Sequence, residues 1–315
     1  MAKISVLIPI YNVEKYIERC ARSLFDQTLQ DIEYIFVNDC TPDNSINILN
    51  EVIKDFPAKR HQITILQHSE NRGLAAARNT GVSAASGDYI IHCDSDDWVE
   101  PEIYEEMYMK AVENNSDIVL CDFVREKHSY SKICKQYYCS IPHEHVKFIL
   151  NHKVPVFCWN ILVKRSLYIE NNLKWIEGID MWEDLLMATK LFFFAKKLSY
   201  IDKPFYHYER RNLSSIATCI SSNSLNQMVQ AVQEIESFYK KQGAYQEFKN
   251  DINNLKIHIK YRHLKNGDDS VCINAITLFS DLDCRIFSSS LEKRRKIKLW
   301  LAVKCPFLFP LLRRI

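Results

Sequence analysis

Glycine is scarce in this 315-residue chain, with only six in all. So little of the most permissive backbone unit excludes a flexible or repetitive architecture. The eleven cysteines are scattered and form no CxxC pair, which weakens zinc-site and thioredoxin-like readings. Several sit in apolar runs (Cys93, Cys121, Cys158), as free thiols do in a reducing compartment. Charge of one sign is also missing: 41 basic against 39 acidic residues leaves a net +2, with no global sign of a nucleic-acid partner. No apolar run approaches the roughly 20 residues a membrane span needs. The first residues enter a strand-like run without a charged-then-apolar leader, so no signal peptide is expected. The expected location is cytoplasmic.

What is present is an alternation of strand and helix signals over the first 125 residues. Strand-like runs fall at Ile4–Ile8, Ile32–Val37, Ile63–Leu66, Tyr89–Cys93 and Asp117–Cys121. Between them lie helical patterns at Val13–Phe25, from Asp43 or Asn44 to about Phe56, at Gly73–Ala85 and from Pro101. This order predicts an α/β fold with a mainly parallel central sheet flanked by helices. Ligands of such sheets bind beyond the carboxyl ends of the strands. The polar residues gather there: Pro9-Ile10-Tyr11-Asn12, Asn38-Asp39 and Asp94-Ser95-Asp96-Asp97. Residues 125–150 lack a clear period and read as a loop region. Residues 154–173 read as irregular, then helical. Leu185–Ala195 reads as an apolar helix, Ser199–Tyr208 as a strand, and the chain from Ser214 as a helical C-terminal extension. The expected division is 1–212 and 213–315.

The carboxylates at Asp94, Asp96 and Asp97 repel one another, and a hard divalent ion bridging to a phosphate would compensate them. Taken alone, the motif fits a solvated acidic turn with Asp as a helix cap better, and it is the rest of the first hundred residues that favours the cation. An EF-hand is excluded, because the glycine and distal glutamate of that loop are missing.

Five motifs stand in order: Ser5-Val6-Leu7-Ile8-Pro9-Ile10-Tyr11-Asn12, Val37-Asn38-Asp39, Asn71-Arg72-Gly73 through Asn79, Gly87-Asp88-Tyr89 and Asp94-Ser95-Asp96-Asp97. In this the chain resembles the family 2 glycosyltransferases of GT-A fold. The resemblance covers about the first 120 residues, with weaker matches at Glu183-Asp184 and from Tyr206 to Ser215. It implies transfer of a hexose or N-acetylhexosamine from a UDP-sugar to a hydroxyl of a glycan or lipid-linked acceptor, with inversion, in surface polysaccharide synthesis. It implies that Asp39 accepts a hydrogen bond from the uracil, that Pro9 and Tyr11 wall the base pocket, and that Asn71 and Arg78 hold the nucleotide. Arg72 is a rival for the phosphate. It implies Mn2+ or Mg2+ on Asp96 and Asp94, with Asp94 sharing ribose contact and Asp97 structural. It makes Asp184 the base and Glu183 its neighbour on the acceptor side. Arg210 or Arg211 would stabilise the leaving phosphate. His207 suits packing in an aromatic-rich strand better than metal ligation.

The tail has its own chemistry. Lys293-Arg294-Arg295-Lys296-Ile297-Lys298 leads into an apolar, aromatic stretch ending at Arg313-Arg314. That composition suits a segment lying on the inner membrane face, so Lys293–Arg314 is a candidate lipid contact. The other reading is a packed helix with a solvated basic rim. Two further functions stay open. A sugar nucleotidyltransferase would need a glycine-rich phosphate loop, and Val6–Val13 contains no glycine. A catalytically silent nucleotide-sugar-binding module would not need Asp94, Asp96 and Asp184 together.

Overall fold

The structure, a computed structural model, describes residues 2–127, 129–155, 157–212, 221–266 and 269–306. Contacts divide the chain into two units: residues 1–146 with 155–218, and residues 147–154 with 219–315.

The first unit is built on a nine-stranded sheet. Its strands are β1 (Ile4–Ile10), β2 (Ile32–Asn38), β3 (Ile63–Gln67), β4 (Tyr89–His92), β5 (Trp98–Val99), β6 (Ile118–Glu126), β7 (Ser131–Cys134), β8 (Ile161–Lys164) and β9 (Leu198–Glu209). The order is β3-β2-β1-β4-β8-β6-β9-β5, with β7 added on β6. β1, β2, β3 and β4 are mutually parallel, β8 is antiparallel to both β4 and β6, and β6 is parallel to β9. Six strands therefore share one direction, while β5, β7 and β8 oppose it. The sheet is mixed, yet the carboxyl ends of β1, β2, β3, β4, β6 and β9 face one edge.

The helices of this unit are α1 (Ile17–Phe25), α2 (Ser45–Asp55), α3 (Leu74–Ala84), α4 (Ile103–Asn114), α6 (Arg165–Glu170) and α7 (Glu183–Phe194), while α5 (Pro142–Leu150) starts in the first unit and ends in the second. α1 buries Ile17, Cys20, Ala21, Leu24 and Phe25, a one-sided helical stripe. Each large side chain so buried contributes about 1.5–3 kcal/mol relative to exposure. α3 is lined with Ala75, Ala76 and Ala77, which let it lie close to β1 and β2. Gly87 is required by close approach: a Cβ there would sit 2.8 Å from the Ser5 backbone nitrogen. β7 and α5 occupy the stretch expected to be a loop, and β8 lies in the stretch expected to be irregular. Both strands are only four residues long, too short to establish a period of two.

The second unit is helical, with α8 (Ser222–Lys241), α9 (Tyr245–Asn266), α10 (Asp269–Thr277) and α11 (Lys293–Lys304). Ser221 and Ser224 close a capping box at the start of α8. α11 buries Leu299 and Ala302 in a cluster with Ile257, Leu264, Leu282, Ile286 and Leu291. This part of the tail is thus a packed helix. The remainder, from Phe307 to Arg314, lies outside the described residues.

Candidate active site

The site stands at the carboxyl edge of the parallel strands. Asp39 follows β2 and is almost fully buried. Its Oδ1 accepts a hydrogen bond from the Arg72 backbone N–H at 2.9 Å and lies 2.6 Å from His68 Nδ1. Its Oδ2 accepts one from the Gly73 N–H at 2.8 Å. A carboxylate offers about four acceptor positions, so one remains. Gly73 has φ +88°, and a Cβ would come within 2.8 Å of Asp180 Oδ2. Asp180 Oδ1 in turn accepts a hydrogen bond from the Ala75 N–H at 3.0 Å, holding the first turn of α3. Pro9 is half-buried, while Tyr11 and Asn71 are exposed at the same edge. Arg72 pairs with exposed Glu177 at 2.9 Å, a surface contact of about 0–1 kcal/mol.

Arg78 is 1% exposed, and its guanidinium joins three carboxylates: Asp184 at 2.6 Å, Glu183 at 2.8 Å and Asp94 at 3.2 Å. Both Nη atoms are engaged in these pairs, so the contacts that Arg78 makes here organise the site's carboxylates. The plane lies 4.8 Å over the Trp175 ring. Trp175 is fixed by Asn79, whose side chain donates to the Trp175 carbonyl at 2.9 Å and accepts from its N–H at 2.8 Å. Burial works against the charged guanidinium, but Asp184 and its neighbours hold it well above its ordinary pKa. Glu183 and Asp184 open α7 after Trp182, which has a left-handed backbone at φ 68°. Burial and the neighbouring Asp184 push the Glu183 carboxyl up to about 8.

Asp94, Asp96 and Asp97 have separate environments. Burial raises Asp94 to about 6, with Arg78 opposing the shift and Asp184 adding to it. Burial also raises Asp96, whose Oδ2 accepts from the Asn212 side chain at 2.8 Å. The Asp96 carbonyl accepts from Arg19 Nη2 at 3.1 Å. Asp97 is fully enclosed and accepts from the Tyr206 hydroxyl at 2.6 Å and the Glu209 N–H at 2.7 Å. It ties β9 to the motif and faces no solvent.

Arg211 does not reach outward: its guanidinium grips Glu209, with the Nε contact at 2.7 Å. Arg19 shares that carboxylate at 3.1 Å. Burial works to raise Glu209, but these arginine contacts outweigh it and hold the carboxyl down to about 2. Arg210 donates to the Tyr208 hydroxyl at 3.0 Å. His207 is clamped between Glu126 and Glu100, each at 2.8 Å, and stacks on Trp98. Ser214 and Ser215 lie outside the described residues. Arg19, Asn79, Asp180, Tyr206 and Asn212 carry the site's support; Asn79, Tyr206 and Asn212 fall inside the matched motifs without an assigned role, and Arg19 and Asp180 escape sequence reading. Their signals are single polar residues in helix or loop, which spacing alone does not mark.

Among the described residues no three His, Cys, Asp or Glu side chains gather as a ready-made metal cage. Asp94 and Asp96 nevertheless fit a hard cation. They supply oxygen ligands, and burial raises both carboxyls, although Arg78 opposes the shift at Asp94 and Asn212 opposes it at Asp96. Mg2+ is ordinarily bound through one or two carboxylates plus substrate phosphates, which is the donor set on offer.

Residues 5–170 match the family described as Glycosyl transferase family 2. The chain belongs to that family. It is 38% identical over 220 residues to EpsH of Bacillus subtilis, covering 68% of this chain and 62% of EpsH. It therefore spans less than two thirds of that relative's length. Staphylococcus aureus TarS residues 1–349 with UDP-GlcNAc superposes with a TM-score of 0.69 at 20% identity, covering 97% of this chain and 91% of that one. The mannosyltransferase PcManGT from Pyrobaculum calidifontis with GDP-Man and Mn2+ gives 0.55 at 13% identity, covering 99% and 86%. At these identities the structural likenesses establish the GT-A fold. This family 2 glycosyltransferase thus has its carboxylates at the edge where the fold opens.

Proposed function

We propose that this enzyme transfers a hexose or N-acetylhexosamine from a UDP-sugar to a hydroxyl of a glycan or lipid-linked acceptor, with inversion, in surface polysaccharide synthesis. The observation that carries the reading is the Arg78 cluster. One guanidinium holds both the first aspartate of the DxD pair and the candidate base. Donor-side and acceptor-side groups are thereby fixed in one centre, as proximity catalysis requires.

In this reading Pro9, Tyr11, Asp39 and Asn71 receive the base and ribose, with the remaining acceptor position on Asp39 available to the uracil N–H. Asp94 and Asp96 would hold Mn2+ or Mg2+, which when bound neutralises charge on the diphosphate. Arg210, and Arg211 once released from Glu209, face the leaving group from the end of β9. Asp184 removes the proton from the acceptor hydroxyl. That oxygen bonds to the anomeric carbon as the bond to the diphosphate breaks, and the nucleotide leaves with the electron pair. One displacement inverts the configuration. Glu183, beside Asp184, orients the acceptor.

α11 supports a peripheral place on the inner membrane face. Ile297 and Trp300 are exposed among Lys293, Arg294 and Lys304, a composition suited to an anionic lipid surface. No helix among the described residues is long and apolar enough to cross a membrane.

The test is nucleotide release from a panel of UDP- and GDP-sugars, with Mn2+ or with EDTA. Release from a UDP-sugar that EDTA abolishes is expected. Release indifferent to EDTA would remove the metal, and a preference for GDP-sugars would remove the uridine assignment.

A further inference from the structure

The buried histidines of the sheet unit differ in what they touch. Among the described residues, His92 and His145 leave both ring nitrogens without a hydrogen-bond partner. His68, only 7% exposed, uses both. Its Nδ1 lies 2.6 Å from Asp39 Oδ1, and its Nε2 lies 2.8 Å from the Thr80 hydroxyl on α3. A carboxylate only accepts, so Nδ1 carries the hydrogen and donates it to Asp39. In the neutral ring Nε2 then accepts from the Thr80 hydroxyl, and that bond fixes the tautomer.

Strand register puts the two side chains together. Asn38 at the end of β2 pairs with Gln67 at the end of β3. The parallel ladder runs one residue further, where the His68 N–H donates to the Asn38 carbonyl at 2.9 Å. Asp39 is tied on its other side, its N–H donating to the Ile10 carbonyl at 3.0 Å. Asp39 and His68 therefore stand side by side at the carboxyl edge, each one residue beyond its strand.

The donors on Asp39 are shared unequally. Oδ1 takes two, from His68 and from the Arg72 N–H, while Oδ2 takes one, from the Gly73 N–H. The acceptor position left open thus belongs to Oδ2. Without the His68 bond each oxygen would hold one backbone donor and one open position, and nothing would distinguish them. His68 is the contact that makes this carboxylate one-sided. That matters for a base. Uracil presents a donor at N3, whereas cytosine presents an acceptor there and its donor amino group beside it on C4. A single acceptor position in a fixed place suits uracil. A carboxylate open on both oxygens can also meet the displaced amino group of cytosine.

We propose that His68 is a positioning residue for nucleotide choice. It occupies one oxygen of Asp39, so that the other alone faces the base, and it thereby favours uracil over cytosine. The proposal rests on the uridine assignment of Asp39 above and deepens it. His68 has no part in bond breaking.

The test is calorimetric binding of UDP and of CDP to the full chain in Mg2+ buffer, taken as the ratio of the two affinities. Wild type should favour UDP by about tenfold or more, since a site built around a donor rejects a base that lacks it. His68→Leu should cut that ratio by about fivefold, because specificity is a difference between two affinities and the change relaxes the discrimination. Thr80→Val frees Nε2 and leaves the ring in place, so it should lower the ratio by about threefold. It decides the matter should His68→Leu fail to fold. A merely structural His68 would weaken UDP and CDP alike and leave the ratio where it was, which overturns the proposal while the uridine assignment stands. A wild type indifferent to the base contradicts that assignment, and the proposal falls with it.

Discussion

Two buried ion clusters, one in each unit, show what separates a working site from a structural one. In the helical unit Lys260, 1% exposed, meets a single carboxylate, Asp283. Charges balance one to one, and the pair joins α9 to the segment that follows α10. In the sheet unit Arg78 is equally enclosed but faces three carboxylates, Asp94, Glu183 and Asp184. That cluster is left short of positive charge. Folding alone gives no reason to bury an excess of carboxylates, since each costs desolvation free energy. A site that must receive a cation or abstract a proton gives one.

The comparison can be broken by substitution. Arg78→Met leaves three carboxylates without their cation and should cost about 3–5 kcal/mol of stability together with all transfer activity, measured by denaturant unfolding and nucleotide release. A stable, active Arg78→Met protein would remove the organising role. Lys260→Met should destabilise by a smaller amount, about 1–3 kcal/mol, because Asp283 keeps some solvent contact. Pairing it with Asp283→Leu should restore most of the loss, and donor turnover should follow only the folded fraction. A direct effect of Lys260→Met on turnover per folded molecule would contradict the division of roles.

A smaller effect concerns pH. Burial works to raise the Glu236 carboxyl, but Lys256 at 2.7 Å and Lys240 at 3.0 Å outweigh it and hold the group down to about 2. A carboxylate depressed on folding stabilises above its unfolded pKa, and loses that contribution as pH falls toward the folded value. Glu236→Gln should therefore lower the melting temperature at pH 7, with a penalty that shrinks below about pH 4.5 and vanishes near pH 2. A penalty constant over that range would show that packing, and not charge, is what the substitution removes.

How much was legible in the sequence follows from the range of each signal. Asp94, Asp96, Glu183 and Asp184 announce themselves because acidic residues interrupt apolar runs or open an apolar helix. Gly73 and Asp39 are marked by their motifs. Arg78 is visible as a cation inside a helix of small residues, but its partners lie 16, 105 and 106 positions away, beyond any local pattern. The same holds for Arg19 and Asn212, which meet Asp96 only through the fold. β7 and β8 are missed because four residues cannot establish a period.

The most direct test of the central claim is nucleotide release by Asp184→Asn at saturating UDP-sugar and acceptor, with donor affinity measured in parallel. A base that acts on the acceptor predicts turnover reduced by about 10²–10⁴ with donor affinity unchanged within a few-fold. Turnover close to wild type would contradict the account and return Asp184 to a structural place in the Arg78 cluster.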